Sequence, residues 1–186
     1  MDLTLNSIFG FRDFHINFSY PKKIVNSIIE NEHLAGRPNF RYKKAVILMG
    51  ANATGKTSLG KALLRIFKFI GYGNTAHLFE MSAPKATGSF SIDFINDGYV
   101  LHRFSAVIDG ASESITLNHA HTEMGEKDTY EKCAKRLEKG GETINADPKK
   151  LKKCFGELSF RFAYPEIEST LKISGIRKDV LLRTLK

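Results

Sequence analysis

The sequence predicts an α/β fold that combines a buried parallel strand, an antiparallel β-meander and a helical C-terminal part. Three patterns indicate this fold. The apolar run over residues 45–49 ends directly at a glycine, which is typical of a strand buried on both faces of a parallel sheet. Phe90, Ile92 and Phe94 begin a series of alternating strands that two Asp-Gly turns interrupt. From Asp128 onward, apolar residues recur at helical spacing.

The chain of 186 residues suits a single domain with three parts. Residues 1–75 would form the core that contains the glycine-rich loop, residues 88–122 the antiparallel annex, and residues 128–186 the helical part. Helices are expected after Pro21, after the glycine-rich loop, and over residues 130–137, 148–155 and 166–185.

Composition and charge favour a cytoplasmic globular protein with a polyanionic ligand. The formal net charge is +8, and residues 1–90 contain 12 Lys or Arg against 5 Asp or Glu. This excess favours nucleotide phosphates or a nucleic-acid backbone without distinguishing between them. No stretch is apolar enough to span a bilayer, and the first residues lack the pattern of a signal peptide. We therefore expect no membrane partner. Cys133 and Cys154 form no redox or zinc motif, so we expect reduced thiols.

The glycine-rich stretch that follows the apolar run has the spacing of a P-loop, GxxxxGK[ST]. Glycines allow the backbone to wrap around a phosphate, so that several N–H groups converge on it. Lys56 would reach the β- and γ-phosphates, and Thr57 would offer its hydroxyl to Mg²⁺. The predicted cofactors are therefore ATP and Mg²⁺. The predicted nucleotide-binding residues are Gly50, Asn52, Ala53, Thr54, Gly55, Lys56, Thr57 and Ser58.

The loop and the first strands together resemble a known family. The loop has the form GxNxTGKTS, with Asn52 in its third position, and is similar to the GxNGSGKST loop of ABC-type ATPases. The stretch Phe11-Arg12-Asp13-Phe14 resembles the F-R-x-F strand of the SMC- and RecF-like branch of that family. Predicted ATPases of prokaryotic defence loci are similar as well. This chain departs from the family at Ala53, where a glycine is usual.

The resemblance implies the P-loop NTPase fold of an ABC-like N-terminal lobe, linked to DNA repair or defence. It also implies that Arg12 lies near the nucleotide. The partner would be a second copy, forming a homodimer, or a missing C-terminal half. The family's LSGGQ signature is absent, and the chain contains no glutamine for a Q-loop. Asp109 is the local candidate for the catalytic Walker-B acid, although Gly110 follows it and a hairpin turn is the alternative. We therefore expect weak turnover by this chain alone.

Other functions and sites remain open at this point. A small P-loop kinase would keep the same roles for Lys56 and Thr57, and a non-catalytic, nucleotide-gated module could recognise nucleic acid. The basic, aromatic residues 37–44 could contact nucleic acid or form a solvated loop. His119 and His121, with Glu123, share one face of a strand and could bind zinc, or could simply be exposed polar residues.

Overall fold

The computed structural model describes residues 2–21, 29–52, 54–72, 76–95, 98–139 and 142–145. Within these ranges no helix is both long and apolar enough to cross a membrane. The elements in chain order are β1 (Asp2–Asn6), β2 (Phe14–Asn17), β3 (His33–Leu34), β4 (Arg37–Arg41), α1 (Lys56–Tyr72), α2 (Ala76–Phe79), β5 (Thr87–Ile95), β6 (Val100–Asp109), β7 (Ser114–Glu123), α3 (Tyr130–Leu137) and β8 (Glu142–Asn145).

The framework of the molecule is an antiparallel sheet of six strands in the order β2-β1-β5-β6-β7-β8. The strands β5, β6 and β7 pair consecutively over nearly their whole length, from Thr87 opposite Asp109 to Asp109 opposite Ser114. The predicted antiparallel meander is therefore confirmed. The strands β3 and β4 form a separate hairpin. Since β1 lies between β2 and β5, residues that are far apart in the chain meet at the centre of the sheet.

Helix α1 packs on one face of this sheet and forms the main core. Along the strands, every second side chain points towards α1, because successive side chains of a strand alternate between the two faces of the sheet. Each large apolar side chain that is fully buried in this way contributes about 1.5–3 kcal/mol. The buried residues of this core include Leu3, Leu5, Phe90, Ile92, Phe104 and Ile108 from the sheet, and Leu59, Ala62, Ile66 and Phe69 from the helix.

The opposite face of the sheet carries a buried ionic network under α3. Asp93 accepts hydrogen bonds from Arg103 Nε at 2.7 Å and from Arg103 Nη2 at 2.8 Å. The Tyr130 hydroxyl, at the start of α3, donates to Asp93 Oδ2 at 2.7 Å. Asp93 is 1% exposed, so its charge requires both partners. The network therefore fixes α3 against the centre of β5 and β6.

The predicted fold class is wrong, because the sheet is antiparallel and the predicted parallel strand is not part of it. Residues 45–49 adopt no regular structure, and Ile47 and Met49 are 84% and 87% exposed. Within the described ranges no strand pairs with this run. An apolar run before a glycine is compatible with a buried strand, but its composition does not encode which strand it would pair with. The sheet is instead built from hairpins and from the pairing of β1 with β5.

The predicted helical C-terminal part is also corrected where the structure describes it. Helix α3 confirms the first expected helix, and Thr129 caps it by accepting a hydrogen bond from Lys132 N. The chain then returns to the sheet as β8, which pairs with β7. The helices expected over residues 148–155 and 166–185, and most of the helix expected after Pro21, lie outside the described residues.

Two stacked histidines close one end of the main core. His102 on β6 and His119 on β7 share a hydrogen bond of 3.0 Å between Nδ1 and Nε2. The rings stack on Phe94 and Phe104, respectively. In the described part of the chain, His102 Nε2 is buried without a hydrogen-bond partner. Burial lowers the pKa of both imidazoles to about 4, from an ordinary value of 6.5. Both rings are therefore uncharged at neutral pH.

We expect the free energy of unfolding to fall as the pH drops from about 6.5 to about 4. In this window the unfolded chain takes up protons at His102 and His119, whereas the folded protein keeps both rings neutral. The stabilisation that the two neutral histidines provide is complete above about pH 6.5 and is lost as the pH falls towards about 4. The slope for these two protons cannot exceed about 2.7 kcal/mol per pH unit. Urea unfolding across the window measures it.

A double variant, His102→Phe with His119→Phe, should flatten the pH dependence, since it removes both protonation sites. The matched variant His121→Asn changes an exposed histidine of the same strand and should retain most of the slope. A wild-type stability that does not change across the window would contradict the assignment.

Candidate functional site

The predicted P-loop lies at the N-terminus of α1 and lines a cavity of about 470 Å³. Lys56 is the first residue of the helix, and its backbone N–H, like those of the next residues, has no partner within the helix. Gly55 precedes the helix with φ +88°, a conformation that a glycine adopts without strain. The positive end of the helix dipole therefore faces the residues that line the cavity. The loop residues in this lining are Asn52, Thr54, Gly55, Lys56, Thr57 and Ser58.

The side chain of Lys56 holds the two ends of the loop together. Its Nζ donates to Gly50 O and to Ala51 O, both at 2.6 Å, and to Thr54 Oγ1 at 3.2 Å. Thr54 Oγ1 in turn donates to Ala51 O at 2.9 Å. An ammonium group has three donors, so these loop oxygens satisfy it fully. The cation thus lies inside the loop, at the position where an anion would be attracted.

The opposite wall of the cavity comes from the loop between β1 and β2. Phe9, Gly10 and Phe11 line the cavity together with the P-loop. The turn is anchored by hydrogen bonds from Phe9 N to Met81 O and from Phe11 N to Ile8 O, both at 2.8 Å. The Phe11 ring lies directly against Gly55, where an added Cβ would approach Phe11 Cζ to 3.2 Å. The absence of a side chain at Gly55 therefore allows this contact.

The cavity is suited to an anion rather than to a cation. Lys56 is the charged residue of the lining, and the other polar members are hydroxyl or amide side chains and backbone groups. Such a set donates hydrogen bonds to phosphate oxygens. Within the described ranges, no group of three His, Cys, Asp or Glu could hold a metal ion. The Thr57 hydroxyl fits Mg²⁺ only as one ligand beside phosphate oxygens and water, which is how Mg²⁺ is often bound with nucleotides.

The structure brings most of the predicted nucleotide-binding residues together. Gly50 joins the lining residues of the loop through the hydrogen bond from Lys56. A Cβ on Gly50 would lie 2.9 Å from Thr54 Oγ1, so any side chain there would require the Thr54 side chain to move. Ala53 lies outside the described residues. Arg12 is exposed and is not among the lining residues, although its neighbour Phe11 is.

The candidate Walker-B acid lies in a hairpin turn. Asp109 ends β6 and accepts hydrogen bonds from the Ser112 hydroxyl at 2.7 Å and from Ala111 N at 3.0 Å. The hydrogen bond from Ser112, followed by that from Ala111, lowers the pKa of this carboxyl. Asp109 is not among the residues that line the cavity. Its side chain stabilises the turn into β7, in agreement with the alternative that the sequence left open.

The other candidate groups are part of the fold. In the basic segment, the Arg37 guanidinium lies 4.3 Å from the centroid of the Tyr99 ring. Lys44 Nζ donates to Glu30 O at 2.7 Å. His119 belongs to the histidine stack, and together with His121 it forms no metal-binding group in the described part.

Phe9 and Gly10 are site residues that motif analysis missed. The P-loop pattern covers only contiguous residues, whereas these two are brought to the loop by the packing of β1 against β5 and α1. The available signal was weak. It consisted of a glycine between two phenylalanines.

Comparison with known proteins found no match to a family model, to a curated protein or to a solved structure.

We expect Gly55→Ala to destabilise the protein by roughly 1–2 kcal/mol, because an L-residue is strained at positive φ and the new methyl group meets the Phe11 ring. Gly60→Ala is the matched control. Gly60 lies within α1, and an added Cβ meets nothing within 4 Å. It should stabilise the protein by about 0.5–1 kcal/mol. Denaturant unfolding measures both changes, and effects of the same sign would contradict the described loop geometry.

Proposed function

We propose that the chain binds Mg·ATP, with the triphosphate held by residues 50–58 at the N-terminus of α1. The observation that supports this proposal is the cavity of about 470 Å³, which a GxxxxGKT loop, a lysine and a helix N-terminus line together. Its volume lies within the range of roughly 300–1,000 Å³ that is usual for small-molecule sites.

Each residue of the loop would have a separate task. Backbone N–H groups around Gly55 would donate to phosphate oxygens. Lys56 would exchange its hydrogen bonds to Gly50 O and Ala51 O for bonds to the β- and γ-phosphates. Thr57 would hold Mg²⁺ through its hydroxyl, and the bound ion would neutralise part of the phosphate charge. Lys56, which holds the loop together in this structure, would therefore release these two carbonyl groups when the ligand binds.

The proposal does not depend on the rejected parallel sheet. Helix α1 is fixed by its own packing on the antiparallel sheet, and its first turns supply Leu59 and Ala62 to the core. Cys133 is a buried thiol, and burial raises its pKa to about 11, so it is protonated and unreactive at neutral pH. The cytoplasmic location stays a prediction. The link to DNA repair or defence stays a prediction, since no feature of the described residues bears on it.

The rival functions have less support. A kinase needs a second substrate beside the phosphates, and among the described lining residues no carboxylate could accept a proton from it. Nucleic-acid binding would use the cations of residues 37–44, but Arg37 is stacked on Tyr99 and Lys44 is bound to a backbone carbonyl. We therefore propose nucleotide binding alone.

We expect Lys56→Ala to weaken the binding of Mg·ATP by about 10- to 100-fold, because a hydrogen-bonded charge pair with phosphate is lost. Lys61→Ala is the control, since Lys61 is an exposed lysine of the same helix and is not among the lining residues. Calorimetric titration measures the affinities, and circular dichroism verifies that both variants are folded. Equal affinity of the wild type and Lys56→Ala would exclude Lys56 from the phosphate site.

We expect phosphate release by the purified chain to be close to background at saturating Mg·ATP. Hydrolysis needs a group that positions the attacking water, and the described residues that line the cavity include no carboxylate, histidine or glutamine. Losing such groups lowers the rate by on the order of 10³ to 10⁵. The missing groups would come from a second copy or from a further segment of a longer protein.

The same phosphate-release assay is run on Asp109→Asn, which should behave as the wild type because its carboxyl serves the β6–β7 turn. Robust hydrolysis by the wild type that Asp109→Asn abolishes would reverse this assignment and make Asp109 the metal-binding acid.

A further inference from the structure

Two phenylalanine rings form an apolar wall beside the proposed phosphate loop. Phe9 and Phe11 line the same cavity as Lys56 and Thr57, and both are partly buried. Solvation alone does not favour leaving two aromatic rings next to a strongly polar loop. The cavity therefore has a larger polar wall and a smaller aromatic wall, which suits a ligand with a charged end and a flat apolar end.

The Phe9 ring is fixed in place before any ligand binds. Its backbone has φ +48°, which non-glycine residues rarely adopt, and its N–H donates to Met81 O. The Arg65 guanidinium lies 5.1 Å from the centroid of the ring. Arg65 is itself held by Glu80 through an ion pair of 2.7 Å. The orientation of Phe9 is thus tied to α1 and to the turn after α2.

The Phe11 ring is fixed by the phosphate loop itself. It contacts the Cα side of Gly55 and packs against Phe14, with 4.8 Å between the ring centroids. A ligand that occupies the loop would therefore lie next to the Phe11 ring. Preorganised rings reduce the entropy that is lost when a ligand is bound.

We propose that Phe9 and Phe11 bind the nucleobase of the ligand, so that the site takes nucleoside triphosphates rather than bare polyphosphate. This inference rests on the proposed phosphate site. A ring face stacks on any base because every base has a π-face, whereas reading a particular base requires hydrogen bonds to its edge. The polar lining residues belong to the phosphate loop, and the aromatic wall adds none. The site consequently accepts adenine and guanine about equally.

The test compares two ligands that share their phosphates, Mg·ATP and Mg·tripolyphosphate, by calorimetric titration. Phe9→Ala and Phe11→Ala each remove one ring. Phe11→Leu retains apolar bulk against Gly55 and removes only the aromatic face. Phe67→Ala is the matched control, because Phe67 is an exposed phenylalanine of α1 outside the cavity lining. Thermal unfolding verifies that every variant is folded.

The wild type is expected to bind Mg·ATP more tightly than Mg·tripolyphosphate, and to bind Mg·GTP about as tightly as Mg·ATP. Each ring variant, Phe11→Leu included, should lose about tenfold in affinity for Mg·ATP, the size of one base–aromatic stack. Affinity for Mg·tripolyphosphate should not change, and Phe67→Ala should bind both ligands as the wild type does.

Four results would overturn the inference. Unchanged affinity for Mg·ATP in the ring variants would make the rings purely structural. An equal loss for both ligands would mean that the rings only hold the phosphate loop. Equal binding of both ligands by the wild type would remove the base site while leaving the phosphate site in place. If the wild type binds neither ligand, the proposed function fails and the base site fails with it.

Discussion

The packing of α1 on the apolar face of the antiparallel sheet is the contact on which the candidate site depends. The last turns of the helix contribute Phe69 to the core, and its first turns contribute Leu59, so the whole helix is fixed against the strands. Ile8, which precedes the aromatic wall, is buried in the same core. Because a protein interior is close-packed, the two walls of the cavity keep a defined separation. The polar loop and the aromatic turn thus line one cavity although they lie far apart in the sequence.

The features that were predicted correctly have local causes. The helix begins at Lys56 because a glycine-rich loop ends there and apolar residues then recur at helical spacing. The turn at Asp109 follows from an Asp-Gly pair between alternating strands. In each case the residues that determine the structure are near neighbours in the chain.

The features that were missed depend on pairing between distant segments. Apolar residues 45–49 have the composition of a buried strand, but composition does not specify a neighbour, and in the described ranges none is present. Strand β8 was missed because its four residues are too few to show the alternation of apolar and polar residues that identifies a strand. Phe9 was missed because only the pairing of β1 with β5 brings it to the cavity. A single sequence contains little information on such contacts.

The position of β1 has a consequence for the order in which the protein can assemble during synthesis. A chain leaves the ribosome from its N-terminus, and β1 can pair at once with β2, which follows closely. Its second neighbour, β5, is made only after the glycine-rich loop and α1 have emerged. Until then one edge of β1 is open, and α1 has no sheet on which to pack. The nascent chain therefore passes through an interval in which its glycine-rich loop has been made but the cavity beside that loop has not yet formed.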